Sequence, residues 1–224
     1  MKKILNIDTS TERAFVALGN DSAILGELYN DSQKDHAAFI QTAIQTICKQ
    51  TDTLIHEIDA VSVIGGPGSY TGLRVGLATA KGLCYALNKP MIMLDTLKVM
   101  AASALIQYPE TDHLLCPMID ARRMEIFTAL YNKQLDNIIP PAAMILESTS
   151  FDTILSDQKV MFFGNGSTKW KSICITQNAS FAVVNLLPVA MNALSMNAFL
   201  GADFAEIAYT EPFYLKEFQT VTHR

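Results

Sequence analysis

No uninterrupted apolar run in this sequence approaches the roughly 18 residues that a membrane-spanning helix needs. The first residues, Met1-Lys2-Lys3, lead straight into Ile4-Leu5-Asn6-Ile7-Asp8, with neither the apolar core nor the small-residue cleavage site of a secretory signal. A membrane or exported protein is therefore not expected, and the cytoplasm is. Cysteine is sparse: Cys48, Cys84, Cys116 and Cys174 lie far apart in apolar surroundings. That spacing makes neither a disulfide framework nor a paired-cysteine metal site, and reads as reduced thiols in the core. Basic charge is also short. The formal net charge of −5 gives no general attraction to phosphate backbones, so any nucleic-acid contact must come from a local patch or a partner. No Gly-Lys-Thr or Gly-Lys-Ser closes a phosphate loop, no Gly-x-Ser-x-Gly elbow presents a nucleophile, and His36, His56, His113 and His223 have no metal-ligand spacing on one helix face.

What remains is a globular composition, with half of the 224 residues hydrophobic and 17% charged, enough to bury a substantial core. Ile4 to Ile7, Ala14 to Leu18 and Ala23 to Tyr29 read as a meander of three short strands. A helix follows from Asp35, a candidate N-cap, with Phe39, Ile40, Ala43, Ile44, Ile47 and Cys48 at three-to-four spacing. Ala60 to Ile64 is a strand, Thr71 to Leu87 a helix rich in small residues, and Met91 to Leu94 another strand. The order is β-β-β-α-β-α-β, an α/β pattern.

The second half repeats this plan. Leu114 to Ile119 ends at Asp120 as Ile4 to Ile7 ends at Asp8, and each Asp is followed by a polar turn containing Arg. Ile126 to Leu130 echoes Ala14 to Leu18, and Val160 to Phe163 runs into Gly164-Asn165-Gly166 as Val61 to Ile64 runs into Gly65-Gly66-Pro67-Gly68. These correspondences predict a duplication, with lobes at 1–105 and 106–224 facing each other across a cleft.

The segment Gly65-Gly66-Pro67-Gly68-Ser69-Tyr70-Thr71-Gly72-Leu73-Arg74-Val75-Gly76 carries a strand through glycines and hydroxyls into a helix. Free backbone N–H groups at such a place suit an anion. The same glycines also suit close packing, with Ser69 or Thr71 as a cap. Asp8-Thr9-Ser10 and Asp120 could hold a metal-bound phosphate, or close hairpins by side chain to backbone hydrogen bonds. Asp120-Ala121-Arg122-Arg123 suits an anion or a solvated turn. His36 beside Asp35 reads as a surface or capping residue.

Together these residues resemble the TsaB (YeaZ) family. The likeness rests on Ile4 to Ser10, Gly66 to Gly76, Asp120-Ala121-Arg122-Arg123-Met124-Glu125 and Glu211-Pro212-Phe213-Tyr214-Leu215. The resemblance implies duplicated ribonuclease-H-like lobes of the actin, Hsp70 and sugar-kinase (ASKHA) superfamily. It also implies a non-catalytic partner of TsaD, which transfers threonylcarbamoyl to the adenosine just 3′ of the tRNA anticodon, and assembly of TsaD with the ATPase TsaE. The catalytic relative carries a His-x-x-x-His metal pair where this sequence has Asp95-Thr96-Leu97-Lys98-Val99-Met100.

On the same footing, Asp8, Thr9, Ser10, Gly66, Gly68 and Ser69 would mark a nucleotide or anion cleft, either weakly binding or retained only as structure. His36, Ile40, Ile44, Ile47, Gly72, Arg74, Gly76 and Ala80 would face TsaD, or a second copy when the chain is alone. Contact with tRNA would be indirect. The competing reading is an ATP-dependent phosphotransferase of the same fold, and a weaker one is a peptidase.

Overall fold

The computed structural model describes residues 1–32 and 35–213. Tyr214, Leu215 and His223 lie outside the described residues. The chain runs β1 (Lys3–Asp8), β2 (Ala14–Asn20), β3 (Ile24–Asn30), α1 (His36–Gln50), β4 (Ala60–Gly66), α2 (Tyr70–Leu87), β5 (Met91–Asp95) and α3 (Thr96–Gln107). It continues with β6 (Leu114–Asp120), β7 (Glu125–Tyr131), β8 (Asn137–Ile145), α4 (Asp152–Leu155), β9 (Val160–Phe163), α5 (Ser167–Ile173), β10 (Ala179–Phe181) and α6 (Pro188–Leu200). No helix among the described residues is long and apolar enough to cross a membrane.

Two compact units result, one of Met1–Thr111 with Val184–Pro212, the other of Asp112–Val183 with Phe213. The lobes expected at 1–105 and 106–224 are corrected accordingly. The chain leaves the first unit at Thr111 and rejoins it at Val184, because α6 supplies a helix that the first sheet needs.

In the first unit the strand order is β3-β2-β1-β4-β5. The β1–β2 and β2–β3 pairs are antiparallel, and β1–β4 and β4–β5 are parallel. Parallel neighbours need crossovers, and α1 and α2 provide them. Alternation along the strands divides the core. Leu5, Ile7, Val16, Leu18, Val61 and Val63 face α1 and α2, where Ile40, Ile44, Ile47, Leu77 and Ala80 meet them. Phe15, Ala17 and Ile64 turn the other way, toward Val99 of α3 and Met191 of α6. With both faces covered, β1, β2 and β4 are buried almost end to end, and each fully buried Leu or Ile contributes about 1.5–3 kcal/mol.

A polar network lies within the α6 face. Ser195 Oγ donates to Asn6 Oδ1 at 2.7 Å, and Asn6 Nδ2 donates to Asn192 Oδ1 at 3.1 Å. Asn192 Nδ2 donates to the Asn20 carbonyl at 2.9 Å, and Ser62 Oγ lies 2.8 Å from Ser195 Oγ. These bonds satisfy groups that would otherwise be orphaned in the core, and they fix how α6 lies on β1 and β2.

The second unit has the order β10-β9-β6-β7-β8. Read from the other edge, this is the first sheet repeated, with β6–β7 and β7–β8 antiparallel and β6–β9 and β9–β10 parallel. Its core gathers Phe151, Phe162 and Trp170 with Cys116, Met118 and Ile126. All four cysteines are free thiols, with Cys84 and Cys116 buried and Cys48 and Cys174 half-buried. Burial pushes the Cys84 thiol up to about 11 and the Cys116 thiol up to about 12, which keeps both unreactive.

Candidate functional site

The carboxyl end of β1 and the loop from β4 into α2 meet in the first unit. Asp8 is wholly buried there, and its Oδ1 accepts the Ser10 amide at 2.8 Å and the Ser10 hydroxyl at 2.6 Å. Oδ2 has no partner among the described residues. Burial raises the Asp8 carboxyl to about 6, against the opposing pull of the two Ser10 hydrogen bonds and of His36. Thr9 donates its hydroxyl to the Gly72 carbonyl at 2.7 Å, the Ser69 amide donates to the Ser10 carbonyl at 2.7 Å, and Ser69 Oγ caps α2 by accepting from the Gly72 amide at 3.3 Å.

The glycines serve this closure. A Cβ on Gly68 would run into the Ser10 carbonyl, and one on Gly72 into the Thr9 carbonyl. Gly66 has φ 122°, a conformation open to glycine. The six residues read as an anion cleft are therefore together, but Asp8, Thr9, Ser10 and Gly66 are buried and their hydroxyl groups are spent on one another and on the loop. The geometry is that of packing and capping. Asp95 and its followers are also structural: Asp95 Oδ1 accepts the Lys98 amide at 2.9 Å to cap α3, and Leu97, Val99 and Met100 are buried.

The residues expected to face a partner divide sharply. Ile40, Ile44, Ile47, Gly72, Gly76 and Ala80 are buried against their own sheet, and Thr9 of the chain itself closes over Gly72 and Gly76. Arg74 alone of that set is exposed, with its guanidinium over the Tyr70 ring at 4.0 Å. His36 is buried, not at the surface. Its Nε2 lies 3.3 Å from the Thr11 carbonyl and its Nδ1 3.4 Å from Asn30 Nδ2. Asp35 stands at the N-cap position but makes no side-chain cap bond.

The outward faces belong to other residues. Ala78, Gly82 and Tyr85 are exposed on α2, and Tyr85 is 84% exposed. A Cβ on Gly82 would meet nothing within 4 Å. An open groove of about 570 Å³ lies along α1 and the loop that follows it, lined by Gln41, Ile44, Cys48 and Leu54 among others and reached from α2 by Leu83. Sequence reasoning passed over this face, although Ala78 and Gly82 stand four apart and out of phase with Gly72, Gly76 and Ala80.

In the second unit Asp120 ends β6. Its Oδ1 accepts the Arg122 amide at 2.6 Å and the Lys169 ammonium at 2.6 Å. The Lys169 hydrogen bond holds the Asp120 carboxyl below the usual carboxylate range. Lys169 was not foreseen, since nothing in the sequence links α5 to a turn 49 residues earlier. A Ser-His-Asp string also forms: His113 Nδ1 lies 2.8 Å from Ser180 Oγ, and Nε2 lies 3.4 Å from Asp112 Oδ1. Ser180, however, donates its one hydroxyl hydrogen to the Val160 carbonyl at 3.2 Å.

The family model described as TsaD, tRNA N6-adenosine threonylcarbamoyltransferase, matches residues 29–202. The tRNA threonylcarbamoyladenosine biosynthesis protein TsaB of Bacillus subtilis is 29% identical over 173 residues, 76% of this chain and 74% of that protein. The Escherichia coli protein of the same name is 35% identical over 136 residues, 61% of this chain and 58% of its own length. A crystal structure from Pseudomonas aeruginosa, described as an uncharacterized protein with similarity to peptidase YEAZ, superposes with a TM-score of 0.83 at 23% identity. It covers 96% of this chain and 100% of that one. The inorganic polyphosphate/ATP-glucomannokinase of an Arthrobacter species reaches a TM-score of 0.51 at 10% identity, over 89% and 100% of the two chains. Those likenesses show the fold, two ribonuclease-H-like sheets of the ASKHA kind. With the family model covering most of its length, this chain belongs to the family of TsaD and, within it, to the TsaB (YeaZ) branch.

Proposed function

We propose that this chain serves the synthesis of N6-threonylcarbamoyladenosine in tRNA as a non-catalytic cytoplasmic subunit that binds and supports TsaD and helps assemble it with TsaE. The observation that carries this reading is the closed state of the β1–α2 junction in a chain of this family. Asp8 is buried, Thr9 and Ser10 bond inward, and the segment matching the metal-binding histidines of TsaD caps and fills α3. An ATP-dependent phosphotransferase would need such a carboxylate at the surface beside its phosphates.

TsaD docks on the outward face of α1 and α2, and a second copy takes the same face when the chain is alone. Support comes from Gly82, whose hydrogen faces open space in mid-helix, where glycine costs about 1 kcal/mol relative to alanine. A facing helix could approach closely there, with Tyr85 and Leu54 as exposed apolar anchors. Light scattering on a mixture of this chain with TsaD from the same cell tests the reading. A heteromer of defined mass is expected, weakened by Gly82→Leu. Two unassociated proteins would overturn it.

A further inference from the structure

Four arginines fall among the described residues. Arg13 lies over the Tyr29 ring and Arg74 over the Tyr70 ring, each with its guanidinium carbon 4.0 Å from the centroid. Arg122 and Arg123 are exposed, and neither guanidinium has an ion-pair, hydrogen-bond or ring partner among the described residues. Both stand at the tip of the β6–β7 hairpin, with φ of 70° and 47°. Turns usually fill such consecutive left-handed positions with Gly, Asn or Asp. A hairpin that only had to reverse direction would gain from those residues. Arginine at both positions sets two long cations side by side, against the backbone preference.

The tip is held from below. The Arg122 amide donates to Asp120 Oδ1 at 2.6 Å, the Glu125 amide donates to the Arg122 carbonyl at 3.0 Å, and the Asp120 amide donates to Asn165 Oδ1 at 2.9 Å. Lys169 reaches both Asp120 Oδ1, at 2.6 Å, and the Glu125 carbonyl, at 3.1 Å. It therefore neutralises the Asp120 carboxylate, which could otherwise pair with the arginines. The result is an exposed turn, tied down by these bonds, whose two guanidinium groups have no partner among the described residues, on a chain whose formal net charge is −5.

Beside the arginines only Met124, 38% exposed, offers large apolar surface on the turn. A protein interface builds on an apolar centre, whereas a phosphate backbone needs projecting donors, and the guanidinium fork matches phosphate oxygens. We propose that Arg122 and Arg123 contact the phosphate backbone of the tRNA substrate directly, an inference that rests on the function proposed above. The pair positions the RNA without reading its sequence.

The test measures binding of labelled, unmodified tRNA across a salt series, both for the chain with TsaD and for the chain alone. The variants are R122A/R123A, R122K/R123K and R122G/R123G. Loss of two phosphate contacts should weaken binding by about tenfold at low salt and lower the slope of log affinity against log salt by about 1.5. The lysine pair should retain most of the affinity. The glycine pair should melt no lower than wild type while binding tRNA as poorly as the alanine pair, which separates the side chains from the fold of the turn. Unchanged affinity and slope in the alanine pair overturn the proposal. So does loss of the TsaD complex by light scattering with tRNA binding of the isolated chain intact, which would make the tip a protein contact. If the wild-type chain forms no complex with TsaD, the function proposed above fails, and the slopes of the isolated chain still decide for or against the arginine contact.

Discussion

Replacing Asp8 by asparagine removes a charge that the folded first unit holds at a cost. The carboxylate is wholly buried, with Oδ1 bonded twice to Ser10 and Oδ2 without a partner among the described residues. Burial outweighs those bonds and the attraction of His36, and the carboxyl rises from 3.8 to about 6. A rise of that size corresponds to about 3 kcal/mol between the two protonation states. The folded state binds the proton more tightly than the unfolded state. Asp8 therefore contributes fully below about pH 4, and that contribution is lost as pH rises through about 6.

At pH 7.5 the ionised carboxylate opposes folding. The asparagine side chain would keep an oxygen for both Ser10 donors but would bury an amide in need of an acceptor, which costs about 1–2 kcal/mol. The expected net gain for Asp8→Asn is about 1–2 kcal/mol at pH 7.5, vanishing or reversing near pH 4. Urea unfolding followed by circular dichroism at several pH values between 4 and 8 reads this difference. A gap between variant and wild type that does not change with pH would refute the reasoning, since Asp8 would then ionise as easily folded as unfolded.

Further consequences concern packing. Gly72→Ala places a Cβ where the Thr9 carbonyl stands, and should destabilise the chain by about 3 kcal/mol or more in denaturant titration. Asn192→Ala strands the Asn20 carbonyl and one Asn6 bond inside the core, and should cost about 2–3 kcal/mol by the same measurement. Gly82→Ala should raise stability of the free chain by about 0.5–1 kcal/mol, while Gly82→Leu lowers affinity for TsaD, measured by titration calorimetry.

The strands and α1 were legible because their apolar residues alternate or recur at helical spacing against a single face. The helices α3 and α6 were not delimited, and the reason is physical. The buried residues of α3 run almost without interruption from Thr96 to Ala104, and those of α6 include the polar Asn192 and Ser195. Neither helix shows a clean stripe, and a buried Asn looks like a break until Asn6 and Asn20 are seen to receive it. The duplication was legible from the two strand-to-Asp turns and the two glycine loops, and the two strand orders repeat it.

Gly72, Gly76 and Ala80 misled in a different way. Small residues at helical spacing mark a close approach without saying on which side, and here the approaching backbone is that of Thr9 in the chain itself. His36 looked exposed because it opens a helix beside Asp35, whereas α1 begins against the β1–β2 turn, and the imidazole lies against Thr11. Arg122 and Arg123 were visible as a pair, but their left-handed backbone and the neutralisation of Asp120 by Lys169 emerge only once α5 is folded against the turn.

The central claim is that this chain enables TsaD without performing the transfer. It is tested most directly by reconstituting threonylcarbamoylation of unmodified tRNA with TsaD, TsaE, the threonylcarbamoyl donor and ATP, with and without this chain. The account predicts modification that depends on adding the chain and none from the chain in the absence of TsaD. Modification by TsaD and TsaE at the same rate without it, or transfer by this chain alone, would contradict the account.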